Sequence, residues 1–212
     1  AELKGRAEAR TVQVASPPAQ DQTSAQSFFK KHFGDQAEAL LYFLTGASHS
    51  LSDVEEYHIP REYVGSRDDY HRLTQKARLV VAGKSYVFYW RVYVAPDQFG
   101  QMFETELKIT NLSHELGLSP PSKIFRVKRQ NVRETIFVQK SEKGRPVEAV
   151  TDLETVEAIG YAFGKLHARG ILHGDIIDEK GRLRGKNLLI RSDPEDYRNR
   201  ISVLDFEFSG LT

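Results

Sequence analysis

LHARGILHGDI (Leu166–Ile176), GKNLLI (Gly185–Ile190) and VLDFEFSG (Val203–Gly210) decide how this chain reads. In each, a polar residue stands beside an apolar run. Asp175 follows a helix that Gly170 closes, so its carboxylate belongs to a loop on a rigid base. Asn187 opens the apolar strand LLI, and Asp205 follows the apolar strand ISVL. Antiparallel strands over 187–190 and 201–204, joined by the turn-rich RSDPEDYRNR, would bring Asn187 and Asp205 together. An amide oxygen and a carboxylate are hard donors for a divalent cation, and a second carboxylate beside them can orient a hydroxyl. Phosphoryl transfer from a nucleotide needs these parts and a cation for the phosphates.

Working outward, DLETVEAIGYAFGKLHARG predicts a helix whose apolar stripe is Val156, Ile159, Phe163 and Leu166. KIFRVKRQ and ETIFVQKS read as antiparallel strands, and KGRPVEAVT as a loop. A helix is expected from about Phe99 to Leu116, stopped by Gly117 and the Pro120–Pro121 pair. ARLVVA and SYVFYWRVYV are β-rich strands with a hairpin turn at Gly83–Lys84. Further upstream, SFFKKHFGDQAEALLYFLTG places Phe28, Phe29, Phe33, Ala37, Leu40, Leu41 and Leu44 near helical spacing, with Gly34 dividing two short helices. Helix-start chemistry stands at Ser52 or Asp53, and Pro60 turns the chain. Residues 1–27, rich in Ala, Gln, Ser and Pro, read as a disordered arm. The expected organisation is this arm, a helical extension over 28–60 decorating the main domain, a sheet-rich unit over 61–140 and a helical unit over 141–212, joined near Gln139–Gly144.

With these elements in order, the chain resembles the protein-kinase-like superfamily, in a minimal form similar to the aminoglycoside phosphotransferases and the small kinase of the KEOPS complex. The resemblance covers about residues 60–212 and implies an α+β two-lobe fold, with an antiparallel-sheet N-lobe and a truncated helical C-lobe. It also implies an activity dependent on ATP and Mg. Asp175 matches the catalytic-loop aspartate, Asn187 the metal-binding asparagine and Asp205 the metal-binding aspartate of D-F-G. His173 matches the histidine that braces the loop. Glu106 looks like the helix glutamate that pairs with the phosphate-binding lysine, whose place Arg91 takes in this resemblance. Gln139 and Ser141, in the segment 139–142, would line the adenine site.

The chain departs from that pattern at several points. Arg91 is a planar fork rather than a compact charge, and serves either a phosphate or an exposed strand face. Tyr89 would crowd an adenine. Asn187 follows Asp175 by twelve residues, a longer interval than the family has, so DEKGRLR could project as a small turn. D-F-G is D-F-E, and Glu207 is either a third metal ligand or exposed. The best candidate for a glycine-rich loop is the stretch around Gly65 and Ser66. Lys84, in VAGK, imitates the family lysine from a hairpin turn and reads as solvated. The sequence runs only seven residues past Asp205, which favours a restricted acceptor, a partner protein or a small molecule. The alternatives are a pseudokinase that binds without catalysing, or a fragment of a larger kinase-like protein.

Composition sets the outer bounds. A formal net charge of +1 gives no field for nucleic acid or membrane. No cysteine occurs, so thiolate metal sites and disulfides are excluded. Without a membrane-spanning run or signal segment, the expectation is an intracellular protein, cytoplasmic or nuclear.

Overall fold

The computed structural model describes residues 22–59, 73–93, 96–129, 132–147, 152–192, 194, 196–206 and 209–211. It is a mixed α+β fold with mostly antiparallel strands. Five strands form the main sheet: β1 Val54–His58, β2 Leu73–Val81, β3 Lys84–Tyr93, β4 Ser122–Arg129 and β5 Val132–Lys140. Their order is β1-β2-β3-β5-β4, with every neighbouring pair antiparallel.

The β2–β3 turn is built from Ala82 and Gly83, both at positive φ (47° and 72°). Two left-handed residues match the twist of a tight hairpin. The turn therefore lies one residue before the Gly83–Lys84 position expected, and Lys84 begins β3 as an exposed strand residue.

Alternation along β3 decides what each sheet face does. Phe88 and Trp90 are buried with Leu79, Val127, Ile136 and Val138 in one apolar cluster. That cluster also contains Ala25, Phe29 and Phe33 of α1 (Gln22–Phe33), and Ala37, Leu40, Leu41 and Leu44 of α2 (Ala37–Thr45). The two helices thus pack on one face of the sheet. Gly34, at φ 52°, opens the short 3₁₀ turn between them. Phe28, although on the helical stripe, is 41% exposed.

The helix start expected at Ser52 or Asp53 falls instead at Ser50, which forms with Asp53 a reciprocal capping box around one 3₁₀ turn, Leu51–Asp53. The chain then continues as β1, which pairs with β2. The boundary expected at residue 60 consequently falls beyond the first strand of the sheet. Of the expected disordered arm, residues 22–27 belong to α1 and 1–21 lie outside the described residues.

The opposite sheet face receives α3 (Pro96–Glu115), where Phe103 and Leu107 pack with Tyr93 and Phe137. Further along α3, Ile109, Leu112 and Leu116 enter a second apolar cluster, that of the C-terminal half. There α4 (Leu153–His167) packs beside β7 (Ile171–Leu172), β8 (Leu188–Arg191) and β9 (Ile201–Val203). Asp152 caps α4 by accepting from the Thr155 backbone N–H at 2.7 Å. The buried face of α4 is Thr155, Ala158, Ala162 and Leu166, whereas Val156 is 52% exposed. Of the expected stripe, Leu166 lies in the cluster and Ile159 and Phe163 are partly buried against it, which leaves Val156 as the one that does not pack there.

The 144–146 stretch, expected as loop, forms β6 (Gly144–Pro146), which extends β8–β9 into a three-stranded sheet. Two residues at Gly210–Leu211 form β10 and pair with β7. Among the described residues, no helix is long and apolar enough to cross a membrane.

Phe33 is fully buried and stacks near both Phe88 and Trp90. Phe33→Ala should cost about 3–5 kcal/mol, whereas Phe28→Ala should change stability by about 0.5 kcal/mol or less. Urea unfolding of both variants measures the difference. Near-equal values would mean that α1 does not pack on the sheet.

Candidate functional site

Pairing of β8 with β9 aligns Leu188 with Val203, and the Leu204 N–H donates to the Asn187 carbonyl at 2.8 Å. This register places Asn187 and Asp205 at the same end of one small sheet. Ahead of Asn187 the chain passes so close to β6 that a Cβ on Gly185 would lie 1.5 Å from the Val147 carbonyl oxygen. Only glycine fits there. The 3₁₀ turn Gly185–Asn187 then leaves Asn187 only 3% exposed.

The Asn187 side chain reaches Asp175. Its Nδ2 donates to the Asp175 carbonyl at 2.7 Å and to Asp175 Oδ2 at 3.1 Å. His173 ties the same loop to the third member of the set. Its Nδ1 accepts the Asp175 backbone N–H at 3.2 Å. The ring proton of a neutral His173 is then on Nε2, which donates to the Leu204 carbonyl at 2.8 Å. Phe206 packs against the imidazole, with ring centroids 5.0 Å apart. His173 thus braces the Asp175 loop against the residue preceding Asp205.

Asp205 has φ 60°, one of two described non-glycine residues with positive φ. Aspartate tolerates this region better than most residues, but it is still strained by about 1–3 kcal/mol. Arg91 holds it. Nη2 of Arg91 donates to Asp205 Oδ1 at 3.2 Å, and Nη1 donates to Glu106 Oε1 at 3.1 Å. The Tyr93 hydroxyl donates to the other Glu106 oxygen at 2.7 Å. Arg91 and Tyr93 share a strand face, and Glu106 sits opposite them on α3. Burial alone would lower the Arg91 pKa, but Glu106 and Asp205 outweigh burial and leave it raised. The guanidinium therefore stays charged.

Seams of main-chain and hydroxyl bonds fix α3 relative to β9. The Val203 N–H donates to the Leu118 carbonyl at 2.7 Å, and Ser202 Oγ donates to the same oxygen at 3.2 Å. Ser119 Oγ donates to the Val203 carbonyl at 2.7 Å. Glu106 and Asp205, far apart in sequence, are set by one connected scaffold.

The insertion before Asn187 forms a small turn whose residues 179–183 are exposed and whose base is clasped. Asp178 Oδ1 accepts the N–H groups of Lys180 and Arg182, each at 2.9 Å. Ile177 bridges Leu183, and the Arg184 N–H donates to the Ile176 carbonyl at 2.7 Å. This clasp delivers the Arg184 guanidinium to Asp175, with Nη1 3.0 Å from Oδ1. Its Nε is buried without a hydrogen-bond partner among the described residues. Sequence reading overlooked Arg184 because the clasp is closed by the Asp178 side chain and carries no periodic signal. Tyr93 was also overlooked, although its place two residues after Arg91 on a strand put it on the same face.

The remaining expected residues stand apart from this network. Gln139, next to last in β5, lies opposite Tyr89 and Ser122 and is 9% exposed. No described residue bonds its side-chain amide. The Ser141 N–H donates to the Val87 carbonyl at 2.9 Å, so that amide is not free to read a base. Glu207, Gly65 and Ser66 lie outside the described residues.

Among the described residues, no group of three or more His, Asp or Glu side chains could cage a metal. Asn187 Oδ1 and Asp205 Oδ2 nevertheless take no hydrogen bond from any described residue, and the Asp205 side chain is 32% exposed. Two hard oxygens, with other positions left to phosphate and water, fit the way Mg²⁺ is held by proteins.

No family model matches the chain, and no curated protein matches it.

Arg91→Met would leave Glu106, 3% exposed, as a buried charge held by Tyr93 alone. The expected cost is about 3–5 kcal/mol, part of which the double variant Arg91→Met/Glu106→Gln should restore. Denaturant melts of the wild type, both singles and the double test this, and strictly additive losses would show that the pair is not coupled.

Proposed function

We propose that this chain is a phosphotransferase of kinase-like, two-lobe build that uses ATP and Mg²⁺ and acts on a restricted acceptor, a partner protein or a small molecule. The observation that carries the reading is that Asn187 bonds Asp175 directly while His173 ties the Asp175 loop to Leu204, the residue before Asp205.

In this reading Asn187 and Asp205 hold the metal, which would neutralise phosphate charge when bound. Arg91, backed by Glu106, presents a charged donor to the phosphates. Asp175 orients the acceptor hydroxyl and receives its proton through Oδ1 or Oδ2. Arg184 limits the negative charge on Asp175 and supplies a cation beside the transferred group. Asn187 Nδ2 keeps Asp175 from rotating away. Gln139 offers the base a buried amide with no competing described partner.

The second reading, a pseudokinase, draws on the same geometry. Asp205 is already paired with Arg91 and Asp175 with Arg184, so both carboxylates are charge-compensated without a ligand.

Thermal unfolding with ATP, with and without Mg²⁺ or Mn²⁺, separates the two. Wild type should gain about 2.7 kcal/mol at a hundredfold excess of nucleotide over its Kd, only with metal present. Asp205→Ala should lose the gain, and Asp175→Asn should keep it. Absence of any shift in the wild type would sink the phosphotransferase reading.

A further inference from the structure

Resting on the phosphotransferase reading only for the identity of its ligands, we propose that Arg91 is a positioning residue that makes divalent-cation binding at Asp205 conditional on a triphosphate. The guanidinium and a divalent cation compete for the same carboxylate, and phosphate decides the contest by drawing one arm of Arg91 away.

Both arms of Arg91 are committed, Nη1 to Glu106 and Nη2 to Asp205. To meet a phosphate, Arg91 must loosen one of these pairings. Burial determines which. Glu106 is 3% exposed and is also held by the Tyr93 hydroxyl, so stripping it of its cation would strand a charge in the interior. Asp205 is 32% exposed, and its Oδ2 is unbonded by described residues, so water and ions reach it. Nη2 therefore leaves Asp205 while Nη1 stays on Glu106.

Asp205 is then a carboxylate at a strained φ of 60° without its counter-ion. Asn187 Oδ1 stands at the same sheet end with no described donor. A divalent cation fits this vacated pair of oxygens far better than it fits a carboxylate already neutralised by arginine. The two exchanges form one cycle: Asp205 trades guanidinium for metal as Arg91 trades carboxylate for phosphate. Linkage makes the coupling reciprocal, so each ligand strengthens the other. Arginine suits the role because its fork bridges two carboxylates at once, which an ammonium on a flexible stem does less well.

The probe is Mn²⁺ alone, titrated by electron paramagnetic resonance into the full chain without nucleotide. Arg91→Gln keeps an amide near both carboxylates but removes the competing charge. It should bind Mn²⁺ at least tenfold more tightly than wild type. Glu106→Gln keeps the Arg91 charge beside Asp205 and should bind Mn²⁺ no better than wild type, whereas simple loosening of the site would raise binding in both variants. If Arg91→Gln fails to fold, Arg91→Gln/Glu106→Gln buries no unpaired charge and carries the same expectation of tighter Mn²⁺ binding. Equal or weaker Mn²⁺ binding by the folded Arg91 variant overturns the proposal. Tight Mn²⁺ binding by that variant, with no ATP-dependent stabilisation of wild type, upholds the competition and overturns the phosphotransferase reading instead.

Discussion

The bridge from Arg91 to Glu106 and Asp205 is the constraint on which the rest of the site hangs. It joins a strand of the five-stranded sheet, the helix packed on one face of that sheet and an aspartate two residues past β9. A cation so enclosed is tolerable only because two carboxylates answer it, and the buried carboxylate is tolerable only because a cation and a tyrosine hydroxyl answer that. Each partner fixes the others, so the local charge pattern specifies how sheet and C-terminal half face one another. Hydrophobic burial supplies the driving force in the two large clusters, but it is non-directional. The ion bridge supplies direction.

A second set of contacts does the same work from neutral groups. His173 links two carbonyl- and amide-bearing turns, and Asn187 closes the gap between its own strand and the Asp175 loop. Two side-chain oxygens there, Asn187 Oδ1 and Asp205 Oδ2, take no hydrogen bond from any described residue. Polar side chains packed this tightly are rarely ornamental, since each unmet group would be costly. Satisfying most of them while sparing two is the feature that gives the cluster a chemical direction.

Local signals made much of this legible. The apolar runs beside Asn187 and Asp205 implied a hairpin, and its register is what brings those residues together. β3 could be read from its aromatic alternation, and α3 from its Pro and Gly stop signals. Long-range packing was another matter. Nothing within α1 says that Phe29 and Phe33 meet Phe88 and Trp90, and the capping box at Ser50–Asp53 advertises a helix while serving a single turn before a strand. On α4 the stripe of Ile159, Phe163 and Leu166 was legible, but the buried Thr155, Ala158 and Ala162 beside it carry little apolar signal. Arg184 was hidden for a related reason: its position depends on Asp178 closing a loop, a side-chain event with no period.

The seam between Leu118–Ser119 and Ser202–Val203 carries a mechanical consequence. Three hydrogen bonds within two residues of each chain segment make that junction stiff, and it lies close along the strand to Asp205. The segment bearing Asp205 therefore cannot slide past the end of α3.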